Sequence, residues 1–155
     1  MNFEELMLRA VTNAETFKYT AKPNPVVGAI LCNDNEIISE GYHEIYGSNH
    51  AEINAISNAR KHQGKKFNNF SELALVCTLE PCSHVGKTGS CAEQIVETGI
   101  KKVVIGSIDP NPKVAGKGIE ILKKNGIDVT VGIHEDIVKN RNKYFLSLIH
   151  ISEPT

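Results

Sequence analysis

The chain has 155 residues, of which 41% are hydrophobic and 23% charged, and its net charge is −1 at pH 7. That length suits one domain with a real core, and the balance of charge argues against a nucleic-acid binder, which would show a basic stripe. No apolar run approaches a membrane span, and the acidic start Met1-Asn2-Phe3-Glu4-Glu5-Leu6 lacks the apolar stretch of a signal peptide. The expected compartment is the cytoplasm, with neither nucleic acid nor membrane as partner. There, four cysteines speak for metal binding rather than for disulfides.

Residues 2–17 space Phe3, Leu6, Met7, Ala10, Val11, Ala14 and Phe17 as a helix. Pro23-Asn24-Pro25 breaks the chain, and the apolar run from Val26 to Cys32 reads as a strand covered on both faces. A turn at Asn33-Asp34-Asn35 leads to an antiparallel partner, Glu36 to His43. Residues 50–62 form a second helix with the face Ile53, Ala55, Ile56 and Ala59; Lys61, Lys65 and Lys66 read as a solvated loop. A strand from Leu73 to Leu79 ends at Glu80-Pro81-Cys82, and a third helix from Cys91 to Thr98 stops at Gly99. Then follow a strand Lys102 to Ile105, a helix from about Gly118 to Lys124, a strand Ile127 to Ile133 and a helix from His134 to about Phe145. Cys32 and Cys77, inside apolar runs, read as buried free thiols. The fold class is α/β: a three-layer arrangement with a mixed sheet of about five strands between helices, its second half paired in parallel through right-handed crossovers.

His50-Ala51-Glu52 opens the second helix, Cys82 closes the strand before the third, and Cys91 opens that third helix. One imidazole and two thiolates are three ligands for a tetrahedral zinc, which leaves a position for water and so marks a catalytic site. Helix N-termini favour thiolates, and in a first turn residues i and i+2 can approach one metal. Glu52, two residues from the His ligand, is the natural base for the bound water. Two other readings exist: three unrelated residues, or a structural zinc completed by His84. Two motif halves at helix starts, and an acid that a structural site does not need, favour catalysis.

The H-x-E…P-C pattern is the signature of zinc deaminases that act on nucleobases. These usually space the two cysteines as P-C-x-x-C, whereas here eight residues separate Cys82 from Cys91. That spacing, the Cys82-Ser83-His84-x-Gly86-x-Thr88 wording, Asn24-Pro25-Val26-Val27-Gly28, Gly41-Tyr42-His43 and Asp109-Pro110-Asn111-Pro112-Lys113-Val114-x-Gly116-x-Gly118 resemble the deaminase domain of the bifunctional riboflavin-biosynthesis deaminase/reductase family. The resemblance covers about residues 3 to 145. It implies a cytidine-deaminase-like fold, one zinc on His50, Cys82 and Cys91, and Glu52 as the catalytic acid–base. It also implies a diaminopyrimidinone substrate with a phosphoribosylamino arm, whose 2-amino group is replaced by oxygen. Asn24, His43, His84, Lys87 and Thr88 are the candidate substrate contacts, Lys87 and Thr88 for phosphate; Lys117 reads as an exposed lysine. Where the family has Thr-Pro-Pro-Cys this chain has Thr88-Gly89-Ser90-Cys91, so a looser loop is expected.

The domain is expected to span 1–145. Residues 146–155 look like a translated sequencing adapter, which would cut the gene short of a reductase domain and of the NADPH that such a domain uses. A homo-oligomer is possible on the same resemblance. The competing functions are a deaminase of another free base, nucleotide or RNA base on this fold, and a non-catalytic zinc module.

Overall fold

The structure, a computed structural model, describes residues 2–17, 27–44, 50–63, 70–83 and 89–139. Helix α1, Phe3–Ala14, starts where the Asn2 side chain accepts the amides of Glu4 and Glu5, and these two acids suit its positive end. Its expected last turn tightens into a 3₁₀ turn, Glu15–Phe17. Strand β1, Gly28–Cys32, is buried throughout, as a strand covered on both faces should be. The Asn33 side chain accepts the amides of Asn35 and Glu36 and so turns the chain into β2, Ile37–Tyr42. Helix α2 is Ala51–Gln63, strand β3 Ala74–Leu79, helix α3 Cys91–Thr98 and strand β4 Lys102–Ser107. Helix α4 is Lys117–Lys124 and strand β5 Asp128–Val131. Gly99, at φ 85°, ends α3 in the left-handed conformation expected of it.

Two strand ends differ by two residues from the sequence reading. Strand β4 runs on through Gly106 and Ser107, and β5 stops at Val131 because Gly132 turns to φ 99°. Residues 135–139 are helical; the expected continuation to Phe145 and the segment 146–155 lie outside the described residues.

The sheet order is β2-β1-β3-β4-β5. β1 is antiparallel to both neighbours, while β3, β4 and β5 are parallel and joined by α3 and α4. Alternate side chains sort to the two faces. Ala29, Leu31, Leu75, Cys77, Val103 and Ile105 pack with Ala55, Ile56 and Ala59 of α2, Ile95 of α3 and Leu122 of α4. Ile30, Cys32, Ala74, Val76 and Val104 pack with Leu6, Met7 and Ala10 of α1. Three layers result, as expected, with Cys32 and Cys77 buried as free thiols on opposite faces. No helix among the described residues is long and apolar enough to cross a membrane.

Helix α2 is fastened to the edge strand. Asn54 and Asn58, one turn apart, donate to the carbonyls of Tyr42 and Glu40, and the Ser39 hydroxyl donates to the Ala55 carbonyl. Gly41 permits this, since a Cβ there would strike the Ala51 carbonyl and the Ala55 amide. The first turn of α2 therefore lies directly on β2.

Candidate active site

The carboxyl ends of β3 and β4, the end of β2 and the start of β1 meet at one edge of the sheet, where open α/β sheets form their sites. Val27, His43, His50, Glu52, Leu79, Glu80, Cys82 and Asp109 line a pocket there. His50 is the residue before α2, and its carbonyl takes the Asn54 amide at 3.0 Å. Glu52 then falls in the first turn, 3% exposed, so both face the pocket.

Cys82 follows β3 and meets the start of α3. Its carbonyl accepts the Ala92 amide at 3.1 Å and its Sγ accepts the Cys91 amide at 3.3 Å, so a helix N-terminus points at the sulfur. Cys91 is the first residue of that helix. Its entry is fixed by a capping box in which the Ser90 hydroxyl accepts the Glu93 amide and the Glu93 carboxylate accepts the Ser90 amide. Gly89 sits at φ 88°, which proline cannot adopt. The looser loop expected at Gly89-Ser90 thus ends in a well-formed cap, by a local solution different from two prolines.

The ligand atoms of His50, Cys82 and Cys91 lie within 4.8 Å of one another, with His50 Nδ1 at 3.1 Å from Cys91 Sγ. A zinc tetrahedron with bonds of about 2.0 and 2.3 Å sets its ligands roughly 3.5–3.8 Å apart, which this cluster accommodates. The donor set, one imidazole and two thiols, is also the right chemistry.

Protonation in the cluster follows from contact. A hydrogen bond from the Cys91 thiol holds Cys82 down to about 4, as a thiolate. The same bond holds Cys91 far above its ordinary value, and burial adds to that. The hydrogen bond to Cys82 raises His50. Burial pushes Glu52 up to about 7, outweighing the donors around it, and that suits an acid–base group near neutrality. A cation arriving at the cluster would displace the proton that the two sulfurs share.

His43 is also brought to the pocket. It is 3% exposed, its amide donates to the Val27 carbonyl, and its ring stands edge-on to His50 with centroids 5.5 Å apart. Asn24, His84, Lys87 and Thr88 lie outside the described residues. Lys117 is exposed. Glu80 and Asp109 also line the pocket, and the chain marks them only as members of Glu80-Pro81-Cys82 and of the motif that starts at Asp109.

The fold and this cluster define a zinc-dependent deaminase. Residues 1–107 match the family model described as the cytidine and deoxycytidylate deaminase zinc-binding region. A diaminohydroxyphosphoribosylamino-pyrimidine deaminase of Buchnera aphidicola (subsp. Schizaphis graminum) is 41% identical over 148 residues, covering 96% of each chain. The riboflavin biosynthesis protein RibD of Escherichia coli is 38% identical over 99% of this chain but only 40% of its own length. The crystal structure of a deaminase/reductase of this kind from Thermotoga maritima superposes with a TM-score of 0.83 at 41% identity, over 98% of this chain and 42% of that one. This chain belongs to the diaminohydroxyphosphoribosylaminopyrimidine deaminases of the zinc-binding deaminase family. It spans nearly all of the Buchnera relative and about two fifths of the longer ones.

Proposed function

We propose that the chain hydrolytically deaminates diaminohydroxyphosphoribosylaminopyrimidine in riboflavin biosynthesis, with His50, Cys82 and Cys91 holding zinc and Glu52 moving the protons. The observation that carries this is the buried Glu52 in the pocket that His50 and Cys82 line, with the ligand atoms of His50, Cys82 and Cys91 converging there. Zinc, when bound, supplies a water acidified to near neutrality. Glu52 takes the proton that this water gives up and delivers it to the ring nitrogen beside the amine-bearing carbon. As the water oxygen bonds to that carbon, Glu52 takes its remaining proton and passes it to the amine while the carbon–nitrogen bond breaks, so water is consumed and ammonia released. An acid poised near 7 by burial can both accept and return a proton. His43 supports the substrate from the wall beside His50, while Asn24, His84, Lys87 and Thr88 are the further contacts of this reading, Lys87 and Thr88 for phosphate. A fused reductase partner, bringing NADPH, belongs to the same proposal.

The test is ammonia release. Purified zinc-loaded protein should release ammonia from the phosphoribosylaminopyrimidine and little from cytidine or deoxycytidylate. Comparable rates on cytidine would refute the substrate assignment.

A further inference from the structure

Glu80 is 6% exposed at the end of β3, lines the pocket, and has no part in the chemistry above. Its amide donates to the Ser107 carbonyl at 2.9 Å, which fixes its backbone against β4. Its carboxylate accepts three backbone amides. Oε1 takes those of Asp109 at 3.1 Å and Gly116 at 2.9 Å, and Oε2 takes that of Ile119 at 3.1 Å. These donors stand at both ends of the loop 109–116 and in the first turn of α4. The helix needs such help, because its N-cap is Gly116, at φ 83° and with no side-chain cap. A carboxylate reaching across from another strand does what a capping side chain would do. The approach is close elsewhere too, for a Cβ on Gly118 would strike the Pro81 carbonyl oxygen. Asp109, held at one end of this clasp, forms part of the pocket wall.

We infer that Glu80 is a positioning residue for substrate: its carboxylate docks the 109–119 segment onto residues 80–81 and so fixes the pocket wall relative to Cys82. The inference rests on the deaminase reading above. Glutamine in its place has one acceptor oxygen instead of two, and its amide group would confront a backbone N–H. At least one of the three donors is then lost and the wall is no longer preorganised, while Glu52 and the metal cluster are untouched.

The test uses the full zinc-loaded chain, wild type and Glu80→Gln. KM for the phosphoribosylaminopyrimidine should rise about tenfold, the equivalent of one lost hydrogen bond to a charged group. The value of kcat should stay within about threefold, the pattern of lost uniform binding. Zinc should remain at one per chain, and amide exchange should quicken at Gly116 and Ile119 but not at Ala92, which bonds to Cys82. Glu80→Asp keeps the charge but withdraws it by one methylene, and should give the same split at smaller amplitude even if Glu80→Gln does not fold. An unchanged KM, a fall in kcat at constant KM, or loss of zinc would overturn the inference while leaving the deaminase reading intact. Wild-type protein that releases no ammonia from the pyrimidine would instead sink that reading, and with it any role of Glu80 beyond anchoring the loop.

Discussion

Glu52 and Glu80 occupy the same end of the sheet, each two residues from a member of the His50–Cys82–Cys91 cluster and each nearly buried, yet their surroundings are opposite. Around Glu52 burial outweighs the available donors and the carboxyl rises toward neutrality. Around Glu80 three backbone amides converge on the two oxygens. A buried carboxylate whose donors cannot outweigh its burial is ready to exchange a proton. One saturated with N–H groups is a fastener. Position in the fold does not separate the two proposed roles; the surroundings of each carboxyl do.

Experiments on the cluster and its supports can break or sharpen that contrast. The largest effect is expected from Cys82→Ala, which removes one of two thiolates. Zinc measured by elemental analysis should fall from one per chain to near none, and ammonia release to background. Full retention of zinc would remove the cluster from the comparison altogether. Glu52→Gln comes next. It should keep zinc and the unfolding midpoint of the wild type, while kcat falls by about 10²–10⁴, the usual weight of a general acid–base group. Wild-type turnover in that variant would mean that Glu52 moves no proton in the reaction.

Ser90→Ala tests the start of α3, where Cys91 is delivered by a cap rather than by prolines. Its loss should cost about 1 kcal/mol in denaturant unfolding, with zinc still bound; no change would mean that the loop is held by other contacts. The smallest effect belongs to a third carboxylate, on the surface. The Arg9 side chain reaches Glu40 at 2.6 and 3.0 Å, and its hydrogen bond holds the Glu40 carboxyl below its ordinary value of 4.5. A lowered folded value means that the pair's contribution is present above the unfolded value and is lost as pH falls through the folded one. Arg9→Ala should therefore be slightly less stable than wild type at pH 7, by about 0–1 kcal/mol for an exposed pair. The two should converge as pH falls through that lowered value, where Glu40 takes up its proton. A gap that persists in acid, measured by thermal melts, would show that Arg9 acts through packing.

Much of the molecule was legible in the chain. The meeting of His50, Glu52, Cys82 and Cys91 could be read because each sits at a helix start or strand end that local pattern announces. The parallel pairing of the second half followed from crossover lengths. What could not be read depends on distant backbone. Glu80 is visible as an acid, but its donors are main-chain amides 29, 36 and 39 residues downstream, and main-chain donors leave no mark in residue type. Gly106 looked like the end of a strand. It is instead a tight crossing, where a Cβ would meet the Thr78 carbonyl, Val138 and Met7. Gly132 had the converse effect, ending β5 early within an apolar run. The asparagines of α2 carry no pattern in the chain, since they border the apolar face rather than belong to it, and their partners are carbonyls of another strand.

Those asparagines bear on how two copies of the chain could meet. β2 closes one side of the sheet, and the inward amide of His43 on Val27 leaves the carbonyls of Glu40 and Tyr42 facing outward. Open carbonyls of this kind are a template on which a strand of another molecule can grow. Asn58 and Asn54 already occupy them. An invading strand would have to strip both side chains off before its own amides could bind. Association by continuation of the sheet is thereby discouraged on this side.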